Sequence, residues 1–233
     1  HCAALISFNP NDYREMRKVN IHGTAVVVNL SIDAKVDKIC FVGSIASIGN
    51  SLNGNLINED CEWNSQEDNS GYSITKFGAE MEIWRASQEG VEVVIVNPGV
   101  ILGSGFWQYG SSKLFTQVYN GFKYYSDVKN ERFILVSENK SFKDIFFLMA
   151  DSFKKNRPSI KIQPWQTSLF WRVSSFVSFF TRKAPFLSKY SAKSAHAISK
   201  YTSEKITKEL NFKFQKIEEV IKETSINYTN SSF

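Results

Sequence analysis

Tyr72 and Lys76 lie four residues apart in the stretch GYSITKFGAEMEIWRAS, which runs from Gly71 to Ser87 with a helix-like pattern. A tyrosine hydroxyl ordinarily keeps its proton to a pH near 10, so acid–base work at neutral pH needs help. An ammonium one helical turn away stabilises the phenolate and lowers that pKa. With a serine hydroxyl to hold the substrate oxygen, such a trio moves a proton on an alcohol/carbonyl pair, the partner step to hydride transfer by a nicotinamide. Spacing alone does not single the pair out. Tyr109/Lys113, Tyr119/Lys123, Tyr125/Lys129 and Tyr201/Lys205 repeat it, and roughly one such pair is expected by chance at average composition.

The surrounding elements discriminate. KICFVGS (38–44) and VEVVIVNPG (91–99) are continuous apolar runs, the pattern of strands buried on both faces. Between them come a polar loop (50–70) and the helical run from Tyr72 to Gln88, with Gly90 as its stop. Ahead of the first strand, Met16, Val19, Gly23, Val26, Val27 and Leu30 recur at helical spacing, with Asn11 or Asp12 as N-cap. Helix, strand, helix, strand predicts a parallel α/β sheet with right-handed crossovers. Its strands' carboxyl ends share one rim, where ligands bind. Ser44 and Asn97-Pro98 end their strands on that rim, and the helix bearing Tyr72 and Lys76 starts there. None of the other four pairs opens a crossover helix after a strand ending in serine.

Composition narrows the class. The chain of 233 residues is 42% hydrophobic and 22% charged, with a net charge of +5 and mild lysine enrichment toward its C-terminus. This is the make-up of a globular protein with a solvated basic face, without the basic stripe and interleaved aromatics of a nucleic-acid module. Cys2, Cys40 and Cys61 lack CxxC spacing and read as reduced, buried thiols of a cytoplasmic chain; with the three histidines they form no metal-ligand pattern. HCAALISF has no charged region before an apolar run, so it is no signal peptide, and reads as the tail of a buried strand entered midway.

After residue 100 the pattern changes. A Gly/Ser- and aromatic-rich loop leads into a short helix; RFILVS (132–137) predicts a strand, SFKDIFFLMADSFKK a helix, and SIKI a short strand. In 165–180, Trp165, Leu169, Val173, Phe176, Val177 and Phe180 share one helical face, too short and polar a segment to span a bilayer. The expectation is packing against the main domain, with a peripheral membrane or dimer contact as the alternative.

Taken together, these residues resemble the extended short-chain dehydrogenase/reductase family, the NAD-dependent epimerase/dehydratase type, closest to its dihydroflavonol-reductase-like or 3β-hydroxysteroid-dehydrogenase-like members. HCAA resembles that family's fourth-strand motif, VNIHGTAVVVN its Asn-x-x-Gly-Thr helix, FVGSIASIG the strand delivering the catalytic serine, and YSITK its Tyr/Lys pair. VNPGVILG is similar to the segment beside the nicotinamide, and SKYTSEKITKELNFKFQKIEEVI (199–221) to the C-terminal signature. The resemblance implies a partial Rossmann-type parallel sheet over 1–100 and a smaller, mostly helical substrate-binding region over 101–233. It implies Ser44, Tyr72 and Lys76 as catalytic, with Ser47 as the second candidate for the serine. Cys2, Ala3, Ala4, Asn20, Gly43, Ser44, Tyr72, Lys76, Asn97, Pro98 and Val100 would contact the cofactor. Ser47, Ser104, Gly105 and Trp107 would face a small-molecule substrate. A homodimer through two helices, one of them bearing Tyr72, is the family's expectation.

Two departures stand out. The family opens with a strand–GxxGxxG–helix unit that cradles the pyrophosphate, and no such glycine run occurs here. A family segment is also absent where Ser126 runs into Asp127. Both suggest a partial chain, and neither NAD nor NADP is selected by the residues present. Net oxidoreduction of an alcohol or carbonyl is favoured over sugar-nucleotide epimerisation or dehydration. SIASIG lacks the Tyr and Asp-Glu of many epimerases, and NPGVILGSG lacks their Arg-x-x-Asn-Val-Tyr-Gly-Pro form. An inert fragment or interaction subunit is the reading from another class.

Overall fold

The N-terminal helical run begins one turn earlier than its apolar spacing suggests. Asn9 accepts a hydrogen bond from the Asn11 amide and caps a 3₁₀ turn, Pro10–Asp12, with proline at the first position. Asn9 thus caps the 3₁₀ turn, while Asp12 stands at the expected N-cap position of the α-helix that follows without a capping side-chain bond. The run continues through α1 (Tyr13–Met16), a π-helical turn (Arg17–His22) and α2 (Gly23–Asp33). The computed structural model describes residues 1–50, 56–108, 110–125, 137–181, 185, 187–196 and 200–231.

The inward face of this run also differs from expectation. Met16, Asn20, Thr24 and Val28 are buried, whereas Val26 and Leu30 are 57% and 63% exposed and Val19 is exposed as well. The π turn, with its i→i+5 bonds, holds more residues per turn than an α-helix and moves the buried stripe to every fourth residue. Two of those four residues are polar, so apolar periodicity could not reveal them.

Two compact units make up the chain: His1–Gly99 with Phe170–Ala192, and Val100–Leu169 with Lys193–Phe233. In the first, β1 (Lys38–Val42) pairs in parallel with β2 (Glu92–Val96), Lys38 opposite Glu92 through Val42 opposite Val96. The crossover between them is α3 (Gly71–Gln88), capped by Ser70, whose Oγ accepts from the Ser73 amide at 3.0 Å. Ile39, Phe41 and Val91 pack against Val28 of α2 and Ala79, Ile83 and Ala86 of α3 as one core. Residue 1 extends the ladder: the Val42 amide donates to the His1 carbonyl at 3.0 Å, and the His1 amine donates to the Cys40 carbonyl at 2.7 Å.

The strands are covered on one face only. Burial alternates along β1, leaving Cys40 exposed, and Val94 of β2 is 45% exposed. The continuous apolar pattern was expected to mean two buried faces; among the described residues, α2 and α3 supply only one layer. The cysteines are free, as expected, but not buried: Cys2 and Cys40 are exposed and Cys61 is half-buried.

In the second unit, a 3₁₀ turn (Gly110–Ser112) leads into α4 (Lys113–Tyr119) and a short parallel pair, β3 (Tyr124–Tyr125) with β4 (Ile160–Lys161). The predicted SIKI strand is thus two residues long. α5 (Phe142–Ser152) is capped by Ser141 and packs Ile145, Phe146 and Met149 into the core. The predicted RFILVS strand falls at residues 132–136 outside the described residues, as does the junction at Ser126 and Asp127. α6 (Pro164–Thr181) belongs to the first unit from Phe170 onward, yet it presents its apolar stripe outward: Trp165, Leu169, Val173, Phe176, Val177 and Phe180 are each at least half exposed, so the stripe is not the packed face that was expected. No described helix is long and apolar enough to cross a membrane. α7 (Lys189–Ser194), α8 (Glu204–Leu210) and α9 (Ile217–Ser231) complete the chain, α9 opening with Glu218 and Glu219. Ile217, Ile221 and Tyr228 are the buried apolar residues of α9.

Candidate active site

The carboxyl ends of β1 and β2 are stitched together beyond the strands themselves. The Gly43 amide donates to the Val96 carbonyl at 2.8 Å, and the Ile45 amide donates to the Pro98 carbonyl at 3.1 Å. A methyl at Gly43 would lie 2.7 Å from Asn97 Oδ1, so this closeness needs glycine. Ser44 then turns the chain into a 3₁₀ turn (Ile45–Ser47), its Oγ accepting from the Ala46 amide at 3.1 Å. α3 begins on the same rim, which puts Tyr72 in its first turn and Lys76 one turn on.

These residues meet. Tyr72 is half-buried and near enough to Ser44 for the serine side chain to draw its pKa downward, and the edge of Phe8 packs on the Tyr72 ring, with centroids 5.9 Å apart. Lys76 is buried, its Nζ donating to the Val42 carbonyl at 2.9 Å and standing 4.7 Å over the Phe41 ring. Ser47 does not take the serine's place. It is buried behind Ser44, with its hydroxyl held between the Ser44 carbonyl (2.7 Å) and Glu80 Oε2 (2.6 Å).

The electrostatics correct one expectation. Burial holds the Tyr72 phenol above its ordinary value near 10, and the Ser44 side chain works in the opposite sense. Burial outweighs the stabilisation that a neighbouring ammonium was expected to give. Lys76 itself is held below the usual 10.5 by burial, with Glu80 and then Cys2 pulling back upward. Tyr72 therefore carries its proton at neutral pH.

The remaining predicted residues fall into three groups. Asn20, inside the π turn and 1% exposed, is occupied by protein. Its Oδ1 accepts from the Leu5 amide at 2.7 Å, while its Nδ2 donates to the Leu5 carbonyl at 3.0 Å and to Thr75 Oγ1 at 3.1 Å. Cys2, Ala3 and Ala4 are exposed, following the His1 pairing past the end of β1; Pro98 is buried and Val100 is exposed. Ser104, Gly105 and Trp107 belong to the second unit. There Asn227 donates to Ser104 Oγ at 2.9 Å, Gly105 is exposed, and Trp107 Nε1 donates to Ser231 Oγ at 2.8 Å while its ring packs edge-on against Tyr228 and Phe115.

Glu80 was not singled out from the sequence. It follows Tyr72 and Lys76 at the next four-residue step of α3 and accepts from Asn97 Nδ2 at 3.0 Å as well as from Ser47. That three-step spacing was the available signal. Among the described residues no cluster of His, Cys, Asp or Glu could hold a metal ion.

The site's residues suit the reactive end of a dinucleotide. A proton-bearing phenol and a serine hydroxyl stand at the rim, and the alanines at positions 3 and 4 are small and exposed. The chain has no glycine-rich turn to cradle phosphates.

Comparison with known proteins gives the family and the fold. Residues 1–145 match the NAD-binding family described as Male sterility protein. A putative dihydroflavonol 4-reductase from Synechocystis sp. is 28% identical over 103 residues, 44% of this chain and 30% of that protein. Cinnamoyl-CoA reductase 2 from Medicago truncatula is 30% identical over 110 residues, 44% of this chain and 32% of that protein. The matched stretch thus spans about a third of these curated relatives. Among solved structures, gox2253 superposes with a TM-score of 0.77 at 17% identity, covering 99% of this chain and 77% of that one. The dTDP-glucose 4,6-dehydratase DesIV from Streptomyces venezuelae, solved with NAD and TYD bound, gives 0.69 at 12% identity, covering 98% and 71%. At these identities the structural likeness speaks for the Rossmann-type fold.

Proposed function

Taking as premise that the chain belongs to the Male sterility protein family of NAD-binding domains, within the extended short-chain dehydrogenases/reductases, we propose that it serves an NAD(P)-dependent oxidoreductase acting on an alcohol/carbonyl group. The single observation carrying this reading is that Ser44, at the carboxyl rim of the parallel sheet, stands beside the first turn of α3, which bears Tyr72 and leads to the buried Lys76. NAD or NADP, when bound, supplies or accepts the hydride. Ser44 holds the substrate oxygen, and Tyr72, kept protonated by burial, donates its proton to that oxygen as a carbonyl is reduced. Lys76 carries the neighbouring positive charge that stabilises the phenolate left behind. Ala3, Ala4, Pro98 and Val100 would border the nicotinamide. Asn20 would support that wall from behind through Leu5 and Thr75, and Ser104, Gly105 and Trp107 would serve the substrate.

Epimerisation or dehydration, the second reading, uses the same trio but returns the hydride within a turnover. Two of the curated relatives are named as reductases, which favours net reduction. The exposed aromatic stripe of α6 supports a peripheral apolar contact, to a membrane surface or a second copy, and the free cysteines support a cytoplasmic setting.

The test is to titrate this chain with NAD(H) and NADP(H) and to follow nicotinamide absorbance with aldehyde and ketone substrates. Tyr72→Phe should lower turnover by about 10²–10⁴-fold, the usual contribution of a general acid. Cofactor binding with unchanged turnover in that variant would overturn the proposal. Failure of the wild-type chain to bind either coenzyme would favour the inert fragment or interaction subunit.

A further inference from the structure

Three elements that present the reacting groups meet on a single carboxylate oxygen. Glu80 Oε2 accepts from Ser47 Oγ, at the end of the turn that Ser44 opens, and from Asn97 Nδ2, where β2 ends. Asn97 Nδ2 also reaches Ser47 Oγ at 3.2 Å, so the three side chains close a triangle. Ser47 is 4% exposed, and its hydroxyl lies 2.7 Å from the carbonyl oxygen of Ser44 itself. The path from Glu80 to Ser44 is thus one hydroxyl long. A half-buried carboxylate is costly unless hydrogen-bonded, and these two donors satisfy it. The charged group that Glu80 acts on is Lys76, one turn back on α3, while the turn and β2 present neutral Ser47 and Asn97.

We propose that Glu80 is a positioning residue for the Ser44–Tyr72 pair, anchoring Ser47 and Asn97 and thereby fixing the turn from which the Ser44 hydroxyl meets the phenol. The inference rests on the reading of those two hydroxyls as the reacting groups. Glu80 touches neither hydroxyl. It acts through Ser47, and its charge also helps keep Lys76 protonated.

The experiment is a tyrosine titration, with activity as the second readout. Protein labelled with ¹³Cζ-tyrosine is titrated as wild type, Ser47→Ala and Glu80→Gln, the Tyr72 signal being assigned by its loss in Tyr72→Phe. The Ser44 side chain lowers the Tyr72 pKa, so slackening its hold should raise that pKa in both variants. Turnover should fall about 10–100-fold, the scale of a misplacement near an ångström, with KM moved far less. An unchanged Tyr72 titration overturns the proposal even if activity falls. A shift down toward the value of free tyrosine also overturns it, because that means the phenol has opened to water. Ser47→Ala deletes one oxygen and carries the test if Glu80→Gln does not fold. Should wild type and Tyr72→Phe reduce carbonyls equally, the catalytic reading falls, while the titration still reports whether Glu80 positions the pair.

Discussion

Replacing Asn20 with alanine separates two roles that one residue type can serve. Its side chain makes three hydrogen bonds, to the Leu5 amide, the Leu5 carbonyl and Thr75 Oγ1, and only 1% of the residue is exposed. At about 0.5–1.5 kcal/mol net for each bond, the set is worth about 1.5–4.5 kcal/mol. Leu5 is half-buried, so water can re-engage its freed backbone groups, which pulls the cost toward the lower half. Thr75 is fully buried, and its hydroxyl keeps its bond to the Tyr72 carbonyl at 3.0 Å, which limits the loss on that side. The expected destabilisation is about 2–3 kcal/mol, or a fall in Tm of about 4–12 °C for a chain of this size. Urea unfolding of wild type and variant measures it, with NAD(H) titrated in parallel. Asn20→Asp should be no better, since it keeps an acceptor for the Leu5 amide but brings a buried charge and no donor. An unchanged urea midpoint with a large loss of coenzyme affinity would refute the reasoning and make Asn20 a direct cofactor contact.

Three further outcomes are expected. Gly49→Ala should cost several kcal/mol or prevent folding, because the added methyl would sit 1.7 Å from the Glu62 carbonyl oxygen, a backbone clash of the overpacking kind that costs about 1–3 kcal/mol or more; a variant with wild-type melting would contradict it. The alkaline limb of kcat/KM should begin below pH 10.5, because the ammonium of Lys76 is present only below its own pKa and burial sets that under 10.5. Tyr72 is held above 10, and a limb that starts only above 10.5 would exclude Lys76 as its source. Phe176→Ser with Phe180→Ser should leave stability within about 0.5 kcal/mol, as surface changes do, because both rings are at least 66% exposed. The same pair should weaken binding to lipid vesicles or self-association, measured by co-sedimentation and light scattering; a strongly lowered Tm would mean that the stripe packs internally.

What could be read from sequence was what depends on local pattern. KICFV and EVVIV are strands because their β-branched and aromatic residues leave little alternative, and a serine ending one strand with Asn-Pro ending the next marks their shared rim. The inward face of α2 was not legible, since Val26 and Leu30 look more buried than Asn20 and Thr24 until the π turn is seen. The depth of the strands was misread for a similar reason: an apolar run tells what a strand tolerates, not how many layers cover it. α6 inverts the usual rule, with Thr167 buried and Phe176 exposed, and no periodicity argument can choose which face of such a helix turns outward. Glu80 escaped notice because its partners, Ser47 and Asn97, are distant in sequence and had been given other roles.

The most consequential misreading concerns Tyr72, because it bears on the direction of the chemistry. Tyr/Lys spacing suggested a phenol made acidic by its neighbour, yet burial dominates and the proton is held more firmly than in free tyrosine. A phenol in that state is protonated at neutral pH, the form that completing a carbonyl reduction calls for, although its firmer hold on the proton makes it the weaker acid. Alcohol oxidation asks the reverse, a phenolate at working pH, and needs a positive charge beside the ring. Lys76 can provide it only if its ammonium stays protonated, and in this structure that ammonium is committed to the Val42 carbonyl. The balance between the two directions therefore turns on the charge of Lys76, which Glu80, one turn along the same helix, helps to keep protonated against burial.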